Sequence, residues 1–492
     1  MQVEGWLRRA ARSAPTVTAL QTPDARLSYA ELWRRACASA SELAQRGARP
    51  QERVAIALPP GIAFAQALHA CFLLGAVAVP VDLRLTAAER ERIVAGASVL
   101  VEEPLRAESP RVEPLHAESP HVEPLHAESL HVEPLRAEPL DSSEPEAFAA
   151  GAVHDLDAVC AVIHTSGTTS APRPVELTYG NFLWSALGSA VALGVAPDER
   201  WLCALPLSHV GGLSILVRSA IYAKTAVVHE RFRTGSVLAA LREQQITLVS
   251  LVSTTLARLL DAGLRDPPRL RCALTGGGPV PAALVERARE VGVPVVATYG
   301  LTEACSQAAT APLAMAAGAP RDVGAGVPLF CTRTEIARTG IAAPAGACPG
   351  DPAVGEIVLS GPTVARSALS ADGRLHTGDL GRLDEHGFLH VSGRASDTIV
   401  SGGENVAPSE VEAVLEACPG VLEAAVVGRE DAQWGEAVTA IVVVAPGASV
   451  GESVLREHCA SRLAPFKVPK RVELVSSPLP RTRSGKLLRR EL

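Results

Sequence analysis

The sequence predicts an α/β protein: a large N-terminal domain of mixed, mostly parallel sheets with covering helices, followed by a small C-terminal α+β domain. Three observations predict it. With 492 residues the chain is too long for one ordinary domain. Short apolar runs of strand type alternate with segments of helical periodicity as far as about Val391, the pattern of strands joined by covering helices. From Ala395 the pattern changes to a helix at 409–417 and strands at 421–427 and 437–444. The boundary is placed at Arg394 to Ser396, giving domains 1–394 and 395–492.

Residues 1–15 predict an amphipathic helix carrying Arg8, Arg9 and Arg12. It has no apolar core of the secretory kind, so it is not read as a signal peptide. Ser28, just before the helical periodicity of residues 29–46, is a predicted N-cap. Residues 52–58 and 76–81 are short apolar runs predicted as strands. The longest apolar stretch, residues 64–81, is interrupted by Gln66, His69 and Pro80. It predicts a buried helix followed by a buried strand rather than a membrane span.

A ten-residue unit of the type VEPLHAESPH then repeats imperfectly over about 101–140. Its prolines and charges predict a disordered insertion in a surface loop, without a core of its own. His116, His121, His126 and His131 could be read as a metal tract, but nothing rigid makes them converge. Elsewhere, 47% hydrophobic but only 3% aromatic residues mean a core of Ala, Val and Leu. The net charge of −7 argues against a nucleic-acid binder. The ten cysteines show no CxxC pair and no Cys/His metal spacing. They are expected as reduced, buried apolar side chains in a cytoplasmic protein.

The strongest chemical signal is Thr165-Ser166-Gly167-Thr168-Thr169-Ser170, extended by Arg173 and Pro174, after the apolar run 158–163. Its hydroxyls, its glycine and its fixed positive charge suit phosphate oxygens. It is not a Walker loop, which needs a different spacing and a lysine. Three further motifs follow in order. They are Tyr299-Gly300-Leu301-Thr302-Glu303, Thr377-Gly378-Asp379 with Gly393-Arg394, and Arg481 through Ser484-Gly485-Lys486.

Together, in this order, these motifs resemble the adenylate-forming superfamily of acyl-CoA synthetases, luciferases and peptide-synthetase adenylation domains. The resemblance covers the chain except for the repeat. It implies that Thr165, Ser166, Gly167, Thr168, Thr169 and Arg173 hold the β- and γ-phosphates of ATP. It implies that Gly276, Gly277 and Gly278 lie against the adenine, and that Tyr299 and Gly300 belong to the same nucleotide site, with Tyr299 stacking on the base. Thr302 would bond the α-phosphate, and Glu303 would hold Mg²⁺. Asp379, helped by Arg394, would take the ribose hydroxyls, and Lys486 would reach the α-phosphate and the attacking carboxylate. Ser170, Arg173 and Pro174 stand where the family usually has Gly, Lys and Gly. The resemblance also implies a mobile small domain with its hinge at Ser396. That domain would present Ser401, Gly402 and Gly403 to the thiol of coenzyme A.

Residues 179–222, with Gly276–Pro279 and Ser401–Asn405, are similar to the o-succinylbenzoate–CoA ligase branch of the superfamily, which serves menaquinone biosynthesis. His209, Arg218, Ser250 and Thr275 are the candidate pocket residues. Arg218 stands alone in an apolar helix-like run and needs a partner. That partner is either the second carboxylate of a diacid or a protein carboxylate. The alternatives are another acyl- or aryl-CoA ligase and a non-catalytic ligand-binding relative. The expected partners are a small-molecule carboxylic acid, ATP and CoA, with no nucleic acid and no stable membrane insertion. A homodimer is left open.

Overall fold

A computed structural model describes residues 1–106, 153–165, 173–313, 324–337, 354–401, 404–431, 434–448, 450–463, 465–481 and 487–492. The described residues form a large α/β domain and a small α+β domain. The central sheet runs Val327–Pro328, Ser306–Thr310, Val295–Leu301, Cys272–Thr275, Leu248–Leu251, Arg200–Cys203, Thr225–Val228, Thr18–Gln21 and Arg26–Ser28. Its six middle strands are parallel and the edges turn antiparallel. A second sheet runs Val99–Val101, Arg53–Ile56, Val77–Pro80, Val159–Thr165 and Arg173–Thr178. A third, wholly antiparallel, runs Arg333–Ala337, Gly355–Ser360, Leu375–Leu383 and Leu389–Arg394. The last sheet is built from Ile399–Ser401 onward, around the long hairpin Val421–Asp431 and Gly435–Val444.

Local signals place most elements. Ser28 caps the helix Tyr29–Gln45, its hydroxyl accepting from the Glu31 N–H while Glu31 accepts from the Ser28 N–H. The apolar stretch folds as the helix Ile62–Leu74, buried on nearly every side, and the strand Val77–Pro80. Gly75 ends that helix at φ +68°, a left-handed turn that suits glycine. Among the described residues no helix is long and apolar enough to cross a membrane. All nine described cysteines are free thiols, and eight are buried.

Two expectations change. The helix expected over 1–15 is confined to Trp6–Ser13, because Gln2–Glu4 is a strand paired with Val153–Asp155. That partner lies too far along the chain for local periodicity to show it. The repeat tract does not leave the core at once. Val101 is a fully buried strand residue, and Leu105 is 5% exposed. Gln66 donates to the Arg106 carbonyl at 2.8 Å, and the Arg106 N–H donates to Glu42 at 2.7 Å. The rest of the repeat, with its four histidines, lies outside the described residues.

Two histidines serve the core behind the N-terminal helix. The Trp6 N–H donates to His154 Nε2 at 3.2 Å, and the His154 ring stacks on Tyr179 with centroids 4.2 Å apart. His69 meets Phe72 edge-on. Burial pushes His69 down to about 4 and His154 down to about 3, the latter helped by His69. An unfolded histidine titrates near ~6.5, so below that pH the unfolded chain binds more protons than the folded one. Stability therefore falls as pH drops from ~6.5 toward the folded values, by up to about 1.4 kcal/mol per pH unit for each histidine. Thermal unfolding followed from pH 7 to 4 is expected to show this slope. His69→Leu is expected to make it shallower, and an unchanged slope would count against the assignment.

Candidate active site

In an open parallel sheet, ligands bind beyond the carboxyl ends of the strands where the strand order reverses. That point lies between Arg200–Cys203 and Leu248–Leu251, because the chain goes from the first to Thr225–Val228 on one side and returns on the other. His209 sits just beyond it, at the N-terminus of the helix Val210–Tyr222. Arg84 Nη2 lies 3.3 Å from His209 Nε2 and also donates to Asp82 at 2.6 Å. A guanidinium can only donate, so His209 Nε2 accepts and the ring is neutral. Burial, reinforced by Arg84 and opposed by Asp82, lowers the His209 pKa in agreement. Burial works against the Asp82 carboxylate, but the bonds from Arg84 outweigh it and hold the group below its usual range.

Ser250 and Arg218 meet Trp201 at the same point. The Trp201 indole N–H donates to Ser250 Oγ at 2.9 Å, and the Arg218 guanidinium lies 5.6 Å from the indole ring centre. Arg218 is only 2% exposed. It donates to Ser185 Oγ at 2.9 Å, its Nε has no partner, and no carboxylate pairs with it among the described residues. Burial accordingly lowers its pKa. Thr275 is fully buried and donates to the Ala273 carbonyl at 3.2 Å.

The strand Val295–Leu301 delivers the next group. Its pairing with Ser306–Thr310 shifts register between Tyr299 and Gly300. A Cβ on Gly300 would lie 1.7 Å from the Ser306 carbonyl oxygen, so only glycine fits. Thr302–Ala304 forms a 3₁₀ turn, closed by Cys305 at φ +51°. Ser185 Oγ donates to the Cys305 carbonyl at 2.6 Å, which links the turn to Arg218. Glu303 is half-buried, and its carboxylate makes no hydrogen bond or ion pair among the described residues.

Tyr299 reaches across to the third sheet. Its hydroxyl donates to Asp379 Oδ2 at 2.7 Å, while Arg394 Nε holds Asp379 Oδ1 at 2.8 Å. Asp379 and Arg394 are cross-strand neighbours, and Asp379 is 8% exposed. Burial and the adjacent carboxylate push the Tyr299 phenol far up. Tyr299, Asp379 and Arg394 therefore form one cluster, and Glu303 follows four residues after Tyr299 in the adjoining turn.

Thr165 and Arg173, on either side of the hydroxyl-rich segment, stand at the ends of two paired strands. Thr165 pairs with Arg173, and the Thr165 hydroxyl donates to the Arg173 carbonyl at 3.3 Å. The strand Arg173–Thr178 packs against the Thr302–Ala304 turn. Pro174 lies on the edge strand of its sheet, where a missing N–H does no harm. Ser166, Gly167, Thr168, Thr169 and Ser170 lie outside the described residues, as do Gly402, Gly403 and Lys486. Ser396 is exposed within the 3₁₀ turn Ala395–Asp397. Ser401 is 1% exposed, in the small domain's sheet.

Asp82, Arg84, Ser185 and Trp201 are site neighbours that the motif reading missed. Asp82 was findable, since it follows the carboxyl end of the parallel strand Val77–Pro80. Ser185 and Trp201 carry no such signal.

The three glycines after Cys272–Thr275 differ physically. A Cβ on Gly276 would sit 2.6 Å from the Thr298 carbonyl oxygen, and Gly277 has φ +78°. Gly278 has open space around it. Gly276→Ala is expected to lower the melting temperature by several degrees, and Gly278→Ala to leave it unchanged, in a thermal unfolding series. Equal losses for both would contradict this distinction.

Comparison with known proteins identifies the family. The AMP-binding enzyme family model matches residues 7–368, and the AMP-binding enzyme C-terminal domain model matches 410–486. The chain is 38% identical to the 2-succinylbenzoate–CoA ligase of Bacillus subtilis over 499 residues, covering 99% of this chain and 97% of that one. It is likewise 38% identical to the Geobacillus kaustophilus ligase, covering 99% and 96%. The solved Bacillus subtilis o-succinylbenzoate CoA synthetase with the acyl-adenylate OSB-AMP superposes with a TM-score of 0.81 at 35% identity, covering 100% and 98%. The same enzyme with ATP and magnesium gives 0.82 at 35%, covering all of both chains. The chain belongs to the AMP-binding enzyme family, and the two full-length relatives given above are 2-succinylbenzoate–CoA ligases.

Proposed function

We propose that the protein joins o-succinylbenzoate to coenzyme A at the expense of ATP, releasing AMP and pyrophosphate. The observation that carries the choice of acid is Arg218. A guanidinium buried without a carboxylate among the described residues costs free energy unless an anion joins it. A diacid has one carboxylate to react and one to fill that role, and charge-assisted bonding to arginine suits it. The full-length relatives named as ligases of this acid support the same choice.

In the first half-reaction a carboxylate oxygen attacks the α-phosphorus of ATP, and the bond to pyrophosphate breaks. Adenine lies over Gly276–Gly278 against Tyr299. Asp379, fixed by Tyr299 and Arg394, accepts from the ribose hydroxyls. The loop from Thr165 to Arg173 receives the β- and γ-phosphates, and the Thr302 hydroxyl bonds the α-phosphate. Glu303, half-buried with a carboxylate free of partners among the described residues, fits Mg²⁺, which commonly takes one or two carboxylates plus phosphate oxygens. The metal offsets triphosphate charge when bound. Lys486 neutralises the charge that builds between the reacting oxygens.

In the second half-reaction the thiol sulfur of coenzyme A attacks the acyl carbon and AMP leaves. The small domain turns about Ser396, with the boundary at 394/395, withdraws Lys486 and brings Ser401–Gly403 toward the thiol. Neutral His209 lines the acyl pocket, held by Arg84. We place the enzyme in the cytoplasm.

Pyrophosphate release across a panel of acids tests the assignment. Release is expected with o-succinylbenzoate and to be far weaker with benzoate or acetate; preference for a monoacid would contradict it. Arg218→Ala is expected to raise KM for the diacid by tenfold or more, as about 1.5–3 kcal/mol for a charged hydrogen bond implies, with KM for a monoacid nearly unchanged. Equal effects would make Arg218 structural. Lys486→Ala is expected to slow adenylation by about 10²–10³-fold, yet largely spare thioester formation from pre-made acyl-adenylate. Equal loss of both steps would refute the division of labour.

A further inference from the structure

The Thr377-Gly378-Asp379 segment does not follow a regular ladder. In the pairing of Gly355–Ser360 with Leu375–Leu383, Glu356 faces Leu380 and Val358 faces His376. Three residues, Thr377, Gly378 and Asp379, thus oppose the single residue Ile357. A bulge of this kind bends the strand and leaves its N–H groups without ladder partners. Side chains supply the partners here. The Asp379 N–H donates to Thr377 Oγ1 at 3.0 Å, and the Thr377 hydroxyl donates to the Ile357 carbonyl at 2.7 Å. The Gly378 N–H donates to Glu356 Oε1 at 3.0 Å. Gly378 stands at φ +69°, a left-handed conformation that most side chains resist.

Glu356 is itself fixed from its other oxygen. His376 Nδ1 lies 2.9 Å from Glu356 Oε2, and His376 Nε2 lies 3.2 Å from Asp372. Arg374 pairs with Asp372 at 2.8 Å and with Glu335 at 2.9 Å, which completes the charged groups around the ring. The bonds to Glu356 and then to Asp372 raise the His376 pKa. The carboxylate is therefore gripped on one side by a histidine and on the other by the amide at the crest of the bulge. Asp379 is the next residue, already oriented by Tyr299 and Arg394.

We propose that Glu356 is a positioning residue for the nucleotide: its carboxylate holds the bulge that aims Asp379 at the ribose. The proposal rests on the reading of Asp379 as the ribose ligand. Glu356 touches no substrate. It acts only through the backbone at Gly378, so its loss weakens ATP binding and leaves the acid pocket around Arg218 and His209 alone.

The test is steady-state kinetics with ATP and with the acid, alongside thermal unfolding, for Glu356→Ala, Glu356→Asp, Glu356→Gln and the reference Asp379→Ala. Loss of one charge-assisted bond to the amide corresponds to about a tenfold rise in KM for ATP. Glu356→Ala is expected to show that rise, with KM for the acid within twofold and the melting temperature within a few degrees. Glu356→Gln, whose amide oxygen can still accept from Gly378, is expected to return KM for ATP to within about twofold of wild type. Glu356→Asp, one methylene short, is expected to share the ATP-selective defect and guards against failure of the alanine variant to fold. The proposal is overturned if folded Glu356→Ala or Glu356→Asp binds ATP as the wild type does. It is also overturned if KM rises equally for ATP and acid, or if glutamine gives no rescue. Asp379→Ala separates the two levels. An unchanged KM for ATP in that variant defeats the ribose reading itself, and the Glu356 role with it; a raised one, with Glu356 variants normal, defeats the Glu356 role alone.

Discussion

The carboxylate of Asp379 is the point on which the site's geometry depends. It takes a hydrogen bond from Tyr299, at the end of the central sheet, and an ion pair from Arg394, at the end of the third. The first of these bonds crosses between the sheets and the second lies within the third, both meeting at one side chain that is 8% exposed. Arg394 is also the last strand residue before the turn Ala395–Asp397 that leads into the small domain. The same carboxylate thus links the two sheets and meets the start of the segment about which we propose the small domain turns. A preorganised polar group of this kind needs no rearrangement when a ligand arrives, which is where such groups gain their effect.

A second constraint runs through the core behind the reacting centre. Arg218, Ser185 and the Cys305 carbonyl form a chain that ends on the turn carrying Thr302 and Glu303. Buried charge is costly when one partner is missing, and Arg218 has only a hydroxyl and an indole face among the described residues. An arriving anion would complete a half-satisfied network already wired to the proposed metal-binding turn.

Much of this was legible in the sequence, and the limits are physical. The cap at Ser28 and the buried helix Ile62–Leu74 follow from neighbours a few residues apart, so local patterning shows them. The motifs that carry the family resemblance stand out because each is a compact cluster of unusual residues. Pairings between distant segments were not. The strand Gln2–Glu4 depends on Val153–Asp155, and Val101 is core only because a sheet edge needs it. The wiring of the Thr377–Asp379 bulge depends on Glu356, twenty-two positions before Gly378, and no spacing rule marks it. Arg218 could be singled out as a lone charge in an apolar run, but the sequence left a protein carboxylate open as its partner. Among the described residues, no such carboxylate pairs with it.

A crystal structure with a non-hydrolysable acyl-adenylate analogue of o-succinylbenzoate is the most direct measurement. Ribose hydroxyls are expected within about 3 Å of Asp379, adenine against Tyr299, and the free carboxylate within hydrogen-bond reach of Arg218. A nucleotide bound away from Asp379, or a free carboxylate pointing away from Arg218, would contradict this.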